Sequence, residues 1–99
     1  MELVNLTAIE RFVRKHRDAG KWLANWVDVA TAATWRSLQD IRKQFPSADG
    51  VRLASRVIIT IFNVKGNEYR LLTIIHYAAQ RVVIWDVLTH EEYDRESWK

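Results

Sequence analysis

The chain has 99 residues, of which 48% are hydrophobic and five are tryptophan, and its net charge is +3. This is enough apolar sequence for a single folded domain over residues 1–99, and it excludes a disordered polypeptide. The chain has no cysteine and only three histidines, so it excludes a disulfide framework and thiolate chemistry and does not suggest a structural zinc site.

The N-terminal stretch MELVN predicts a short strand, and the charged residues that follow it are not typical of a secretory signal peptide. The longest apolar stretches, residues 57–64 and 71–75, have the length of strands and are too short to cross a bilayer. We therefore expect a cytoplasmic protein that does not associate with a membrane.

Three helical segments are predicted within residues 7–45, where apolar residues recur at helical spacing. Thr7 and Glu10 have the spacing of a capping box at the start of the first segment. The stretch 18–20 separates this segment from the second. The third segment ends before the Phe45-Pro46 pair, because a residue that precedes proline avoids the helical conformation.

Two features of these segments bear on function. The tryptophans of the helices, Trp22, Trp26 and Trp35, are interpreted as packing residues rather than base-stacking residues. Basic residues also crowd the first segment and its end: Arg11, Arg14, Lys15, Arg17 and Lys21. Such a cluster is typical of a surface that binds a polyanion, but it also fits an ordinary solvated helix face, and both interpretations stay open.

From Arg56 onward the sequence is rich in β-branched residues and predicts antiparallel strands near 56–64, 68–77 and 81–88. Turns are predicted at Gly66-Asn67, which favours the positive φ angles of a tight hairpin, and more weakly within 77–80. Residues 90–98 can form one or two helical turns. Helices followed by a meander of strands indicate an α+β fold.

A two-residue turn at Gly66-Asn67 fixes the register of the first hairpin. Lys65 then faces Glu68, and Arg70 pairs with Asn63. Lys65, at the tip of this hairpin, is most simply a solvent-exposed loop residue.

A turn at Ala78-Ala79 in the second hairpin places Arg70 opposite Val87. His90 and Tyr93 then follow the end of the last strand, close to Arg70. An arginine on a central strand is costly to bury unless an anionic group meets it.

Two interpretations of Arg70 remain open. It can form an ion pair with Asp86, Glu92 or Asp94, or it can bind phosphate, because the planar guanidinium matches phosphate oxygens. His90 is either a polar residue at the start of a helix or a group that transfers protons near neutral pH.

Four segments in series resemble the HigB family of bacterial toxins: KHRDAGKWLANW (15–26), WRSLQDIRKQFPSADGV (35–51), FNVKGNEYRLLTIIHY (62–77) and VLTHEEYD (87–94). The resemblance implies a RelE-like fold, with N-terminal helices packed on a small twisted antiparallel sheet. It also implies an endoribonuclease that needs no metal or cofactor and inhibits translation by cutting mRNA in the ribosomal A site. The expected partner is a HigA-type helix-turn-helix antitoxin, and operator DNA is bound only through the antitoxin complex.

The resemblance further assigns catalytic roles to Arg70, His90 and Tyr93. Arg70 matches the arginine of the Gly-Asn-x-x-Arg hairpin that contacts phosphate in the wider superfamily. His90 and Tyr93 match the Thr-His-x-Glu-Tyr motif, a region that holds the general acid or base, or the group that stabilises the leaving oxygen. The division of roles between these two residues is left open.

Residues of the first hairpin are expected to bind RNA, namely Lys65, Asn63 and Asn67. Some relatives have glycine where this chain has Lys65, so a catalytic role of this lysine does not follow. An alternative function is a catalytically inactive module of the same fold that binds RNA or the antitoxin. A DNA-binding repressor is a third hypothesis, but the sequence has no helix-turn-helix pattern.

Overall fold

The helices precede the sheet along most of the chain, as the change in hydrophobic period predicts. The computed structural model describes all 99 residues. Its helices are α1 (Thr7–Lys15), α2 (Gly20–Ala32), α3 (Leu38–Gln44) and α4 (His90–Asp94), and a 3₁₀ turn (Arg17–Ala19) joins α1 to α2. Its strands are β1 (Glu2–Val4), β2 (Asp49–Arg52), β3 (Ile58–Val64), β4 (Tyr69–His76) and β5 (Arg81–Thr89). None of the helices has the length and apolar character that a membrane span requires.

The five strands form one sheet in the order β1-β5-β4-β3-β2. The central strands β3, β4 and β5 pair antiparallel as predicted, β1 adds a short parallel edge beside β5, and β2 forms the other edge. The α+β fold and the predicted helices and strands are thus confirmed. Strand β2 was not predicted, because its sequence DGVR is short, polar and mostly exposed and it extends only by pairing with β3.

One face of the sheet, the helix face, packs against α1, α2 and α3. Its side chains include Phe62 and Val87, which join Trp26 and Trp35 in a single buried cluster. Trp26 is fully buried and Trp35 is 3% exposed. The interpretation of these two tryptophans as packing residues therefore agrees with their burial.

The opposite face carries a smaller apolar cluster, formed by Ile59, Ile61, Leu72 and Leu88. The segment after β5 folds over this face, so that Tyr93 and Trp98 pack against the cluster. Arg70 lies between Tyr69 and Leu71, whose side chains belong to the helix face. Since side chains alternate along a strand, Arg70 points to the opposite face.

Two local predictions about the helices are wrong. Thr7 does not cap α1: the N-cap residue is Leu6, no side chain caps the helix, and Thr7 is already its first residue. The chain turns one residue earlier because Asn5 adopts a positive φ of 71° and its side-chain Nδ2 donates to the Ile84 carbonyl at 2.9 Å. Trp35 precedes α3 instead of lying in it, since Ser37 caps that helix by accepting from the Asp40 amide.

Candidate active site

The first hairpin brings Arg70 into the register that the sequence predicts. Arg70 pairs with Asn63 across β3 and β4. The positive φ angles, however, fall on Lys65 (52°) and Gly66 (70°), so the prediction that Asn67 adopts one is wrong. Asn67 is left to face Arg70 with its carbonyl and its side-chain amide.

The second hairpin departs from the predicted register by one residue. Arg70 pairs with Leu88, and the predicted pairing with Val87 is wrong. As far as Ile84 the strands pair as a turn at Ala78-Ala79 requires, but Trp85 has no partner in β4. This extra residue is a β-bulge, and it shifts the remainder of β5 along β4.

The Arg70 guanidinium is held by backbone and amide oxygens. Arg70 is 8% exposed. Its Nη1 donates to the carbonyls of Asn67 at 3.0 Å and Tyr69 at 3.1 Å, and its Nη2 donates to Asn67 Oδ1 at 3.3 Å. No carboxylate forms an ion pair with it. The ion pair with Asp86, Glu92 or Asp94 that the sequence left open is therefore not formed, and the buried positive charge is uncompensated.

His90 is the first residue of α4 and lies directly beside Arg70. Its Nδ1 is 3.3 Å from Arg70 Nη2. A guanidinium nitrogen can only donate, so Nδ1 must accept and therefore carries no proton in this arrangement. The other ring nitrogen, Nε2, lies 3.1 Å from Asp94 Oδ2 and donates to it. The imidazole thus has one nitrogen that accepts from Arg70 and one that holds a proton.

The start of α4 fixes the position of His90. Thr89 and Glu92 form a capping box, in which Thr89 Oγ1 accepts from the Glu92 amide at 3.2 Å and Glu92 Oε1 accepts from the Thr89 amide at 2.9 Å. The hydrogen bond from the Thr89 amide is the largest cause that lowers the pKa of Glu92. The His90 amide also donates to the Glu68 carbonyl at 3.0 Å. The acids of VLTHEEYD therefore begin a short helix, as predicted.

The Tyr93 ring lies between a cation and a second aromatic ring. The Arg70 guanidinium carbon is 5.2 Å from its centroid. The Trp98 indole stacks on it, with centroids 5.1 Å apart and an interplanar angle of 13°. Trp98 Nε1 also donates to the Tyr93 carbonyl at 2.9 Å. Tyr93 is therefore packed as a wall of the Arg70 site.

The loop that holds Arg70 is tied to the helical layer by Asp18. This carboxylate accepts from Tyr69 Oη at 2.8 Å and from Lys65 Nζ at 3.0 Å. The hydrogen bond to Asp18 raises the pKa of Tyr69 to about 12 and raises the pKa of Lys65, while the pKa of Asp18 is lowered. Lys65 also lies 3.9 Å from Glu68, the residue it was predicted to face.

The other two predicted RNA contacts lie next to Arg70. Asn63 Nδ2 donates to Asn67 Oδ1 at 3.3 Å, the same oxygen that accepts from Arg70. The structure therefore brings Arg70, His90, Tyr93, Asn63 and Asn67 together on one face of the sheet. Lys65 is set apart, because its ammonium group pairs with Asp18.

The contacts of three residues near the site were not predicted from the sequence: Asp18 and Trp98 had no assigned role, and Asp94 was considered only as a partner of Arg70, whereas it pairs with His90. Asp94 lies four residues after His90, the spacing at which helical side chains meet, so a helix at 90–94 was the signal for this pair. Asp18 lies 47 residues from Lys65 and 51 from Tyr69, and Trp98 reaches Tyr93 from outside any regular element. No local pattern predicts those contacts.

The chemistry open to this site is that of a cation beside an imidazole. Arg70 can bind an anionic oxygen, and His90, whose side chain is 55% exposed, can exchange a proton with a bound molecule. His, Asp and Glu side chains form no group of three or more that could hold a metal ion.

Comparison with known proteins identifies the family to which the chain belongs. A model of the HigB toxin family, the RelE-like toxic component of a toxin–antitoxin system, matches residues 19–96. Over 94 residues the chain is 26% identical to the mRNA interferase toxin HigB of Escherichia coli K12 and to the mRNA interferase HigB of Escherichia coli O157:H7 and of Shigella flexneri. Each alignment covers 95% of this chain and 88% of the relative. Since the family model matches most of its residues, the chain belongs to the HigB family of RelE-like toxins.

Proposed function

We propose that this protein is a metal-independent endoribonuclease that cuts mRNA in the ribosomal A site and thereby inhibits translation. The observation that supports this function is the uncompensated Arg70 guanidinium, 8% exposed and in contact with His90. A buried cation without a carboxylate partner favours an anionic ligand, because the ligand supplies the negative charge that no side chain of the protein provides. The relatives named above are called mRNA interferases, which favours RNA phosphate as that ligand.

Cleavage without a metal uses the RNA's own 2′-hydroxyl as the nucleophile. The 2′-oxygen attacks the adjacent phosphorus, the bond to the 5′-oxygen of the next nucleotide breaks, and a 2′,3′-cyclic phosphate forms. Negative charge grows on the phosphate oxygens as the 2′-oxygen attacks. Arg70 offsets this charge with donors that are already oriented by Asn67 and Tyr69.

In this reaction the 2′-hydroxyl loses a proton and the departing 5′-oxygen gains one, and His90 is the group that carries out one of these two transfers. When an RNA phosphate binds the Arg70 guanidinium, Arg70 no longer donates to Nδ1 of His90, and Nδ1 can accept a proton. The other ring nitrogen, Nε2, already carries a proton that it donates to Asp94. Tyr93 completes the catalytic set by holding Arg70 against its ring and stacking on Trp98.

The loop between β3 and β4 contributes RNA contacts around the scissile phosphate. Asn63 and Asn67 lie beside Arg70, and Asn67 is exposed at the loop. Lys65 is 43% exposed in its side chain and adds positive charge to the same loop, although it is also paired with Asp18. With so few groups, the site depends on the ribosome to place the mRNA, since positioning alone can supply a large part of the rate.

The partner that silences this toxin is a HigA-type helix-turn-helix antitoxin, and operator DNA is bound only through the complex. A stable complex in size-exclusion chromatography, with loss of RNA cleavage, is the expected result. Two separate peaks at micromolar concentration would contradict this part of the proposal.

Induction in cells and cleavage on programmed ribosomes test the enzymatic function together. Induction of the wild-type chain should arrest growth, whereas induction of Arg70→Ala or His90→Ala should not, provided that both variants accumulate as folded protein. Cleavage should persist in the presence of a chelator. Arg36→Ala, which removes an exposed cation outside the site, is the matched control and should stay toxic. A wild-type chain that binds RNA and never cuts it would indicate the inactive module instead.

A further inference from the structure

A groove between α1 and β5 lies away from the Arg70 site. It encloses about 340 Å³ and its walls include Arg11, Lys15, Trp85 and Glu92. The groove is bordered by Phe12 and Val87, which belong to the buried cluster of the helix face. Arg70 points to the opposite face of the sheet, so the two sites are distinct.

The cations of this groove belong to a basic cluster that the rest of the molecule does not neutralise. Five basic residues of the segment form no ion pair: Arg11, Arg14, Lys15, Arg17 and Lys21. Six basic residues elsewhere each have an acidic partner, namely Arg42, Lys43, Lys65, Arg81, Arg95 and Lys99. Four others are unpaired but scattered along the sequence, namely Arg36, Arg52, Arg56 and Arg70, so it is the clustering that sets residues 11–21 apart. An exposed, unpaired and clustered set of cations indicates a surface for a polyanion.

The second wall of the groove presents an aromatic ring. Trp85 is 40% exposed, although Ile84 directly before it and Val87 two residues after it are buried. It is exposed there because it is the unpaired bulge residue of β5, and a bulge re-aims a side chain that a regular strand would point elsewhere. An exposed indole beside cations is the combination with which proteins bind single-stranded nucleic acid: the ring stacks on a base and the cations meet the backbone.

The spacing on α1 suits a strand of phosphates. Arg11 and Lys15 are four residues apart on one helix face, which separates them by about 6 Å along the axis. Two carboxylates also line the groove, and both keep their negative charge: Asp86 on β5 accepts from the Val87 amide at 2.8 Å, and Glu92 on α4 accepts from the Thr89 amide at 2.9 Å. Arg11 and Lys15 both lie on α1, where they form a basic wall opposite the aromatic wall of Trp85 on β5.

We propose that this groove is a second RNA-binding site, in which Arg11 and Lys15 bind phosphates of a single strand and a base stacks on Trp85. Helix α1 precedes the residues 19–96 that match the family model, so the site joins a segment outside the match to a strand within it. RNA bound there is held on the helix face while Arg70 engages a phosphate on the other face.

The test measures binding of a 2′-O-methyl RNA oligonucleotide, which lacks the hydroxyl needed for cleavage, by fluorescence anisotropy. The starting protein is the full chain with Arg70→Ala, so that the remaining affinity reports sites other than the Arg70 site. Adding Trp85→Ala should weaken binding by about five- to a hundredfold, and Trp85→Phe should retain most of it. Adding Arg11→Ala with Lys15→Ala should reduce the slope of log affinity against log salt by about 1.4, because each lost phosphate contact to a single strand contributes about 0.7.

The matched control adds Arg36→Ala and Arg52→Ala to the same protein. It removes two cations that are also exposed and unpaired but lie outside the groove, and it should change affinity and salt slope little. If the control loses as much RNA affinity and salt slope as the Arg11→Ala, Lys15→Ala variant, the loss reflects net charge alone and the proposal is wrong. Unchanged RNA binding with a lost antitoxin complex would assign the groove to the antitoxin instead. Failure of cleavage in the wild-type chain would affect only the proposed function, since this assay measures binding alone.

Discussion

Replacing Arg70 by alanine should separate its role in the reaction from a role in the fold. The change removes hydrogen bonds to the Asn67 and Tyr69 carbonyls, each of which contributes about 1 kcal/mol net. It also removes a buried charge without an acidic partner, whose desolvation costs several kcal/mol. These effects oppose each other, so we expect the free energy of unfolding to fall by less than the roughly 2 kcal/mol of the two hydrogen bonds. For a chain of this size that is a fall in Tm of less than about 16 °C.

The rate of RNA cleavage by Arg70→Ala should fall steeply even though most of the protein stays folded. Loss of a charged group that stabilises a transition state typically costs a factor of about a hundred to a thousand. Arg70→Lys should restore only part of the rate, because the ammonium keeps the charge but not the planar fork of donors.

Thermal melts and ribosome-programmed cleavage on the same preparations measure both quantities. Leu72→Ala is the control for the melt, because Leu72 is fully buried on the same face and its truncation should cost about 2–5 kcal/mol. If Arg70→Ala melts as early as Leu72→Ala, Arg70 is a structural residue and not a catalytic one. If the folded Arg70→Ala protein cuts RNA at the wild-type rate, Arg70 has no part in the reaction.

Three further predictions concern the surroundings of Arg70. Tyr93→Phe should retain cleavage and Tyr93→Ala should lose it, because the ring contacts both Arg70 and Trp98. A large loss of cleavage in Tyr93→Phe would show that the hydroxyl takes part in the reaction. The Tyr69 contact to Asp18 should stabilise the fold fully below pH 10 and be lost as pH rises towards about 12, since the Tyr69 pKa is raised; Asp18→Asn should diminish this loss in melts across that range. Thr89→Ala should cost about 1 kcal/mol in denaturant unfolding by removing the cap of α4, and an unchanged midpoint would argue against the capping box.

The parts of the fold that could be predicted are those encoded locally. Residues 56–64 and 68–77 are β-branched and flank a Gly-Asn turn, so their pairing and the partner of Arg70 follow from composition and spacing alone. The helical turns predicted within residues 90–98 form as α4, whose capping box has the local pattern Thr-x-x-Glu.

The same pattern misled at α1, where Thr7 and Glu10 have identical spacing but Leu6 is the N-cap. The side chain that decides the matter is Asn5, which bonds to Ile84 across the fold. The partners of Lys65 and Tyr69 were missed for a similar reason: Asp18 meets them only after α1 and the sheet have packed. Contacts of this kind join residues that are distant in sequence, so they cannot be predicted from local sequence patterns.

The bulge at Trp85 was the most consequential feature that the sequence did not reveal. Without it Arg70 would pair with Val87, and Val87 would share a face with Arg70, because residues opposed across a sheet point to the same side. In the structure Val87 instead packs in the helix-face cluster and Leu88 lies opposite Arg70. A shift of one residue inverts every side chain that follows, so the bulge also sets the point at which the chain leaves β5 and places His90 two residues beyond the partner of Arg70. One inserted residue therefore brings the imidazole to the guanidinium on one face and exposes an indole in the basic groove on the other.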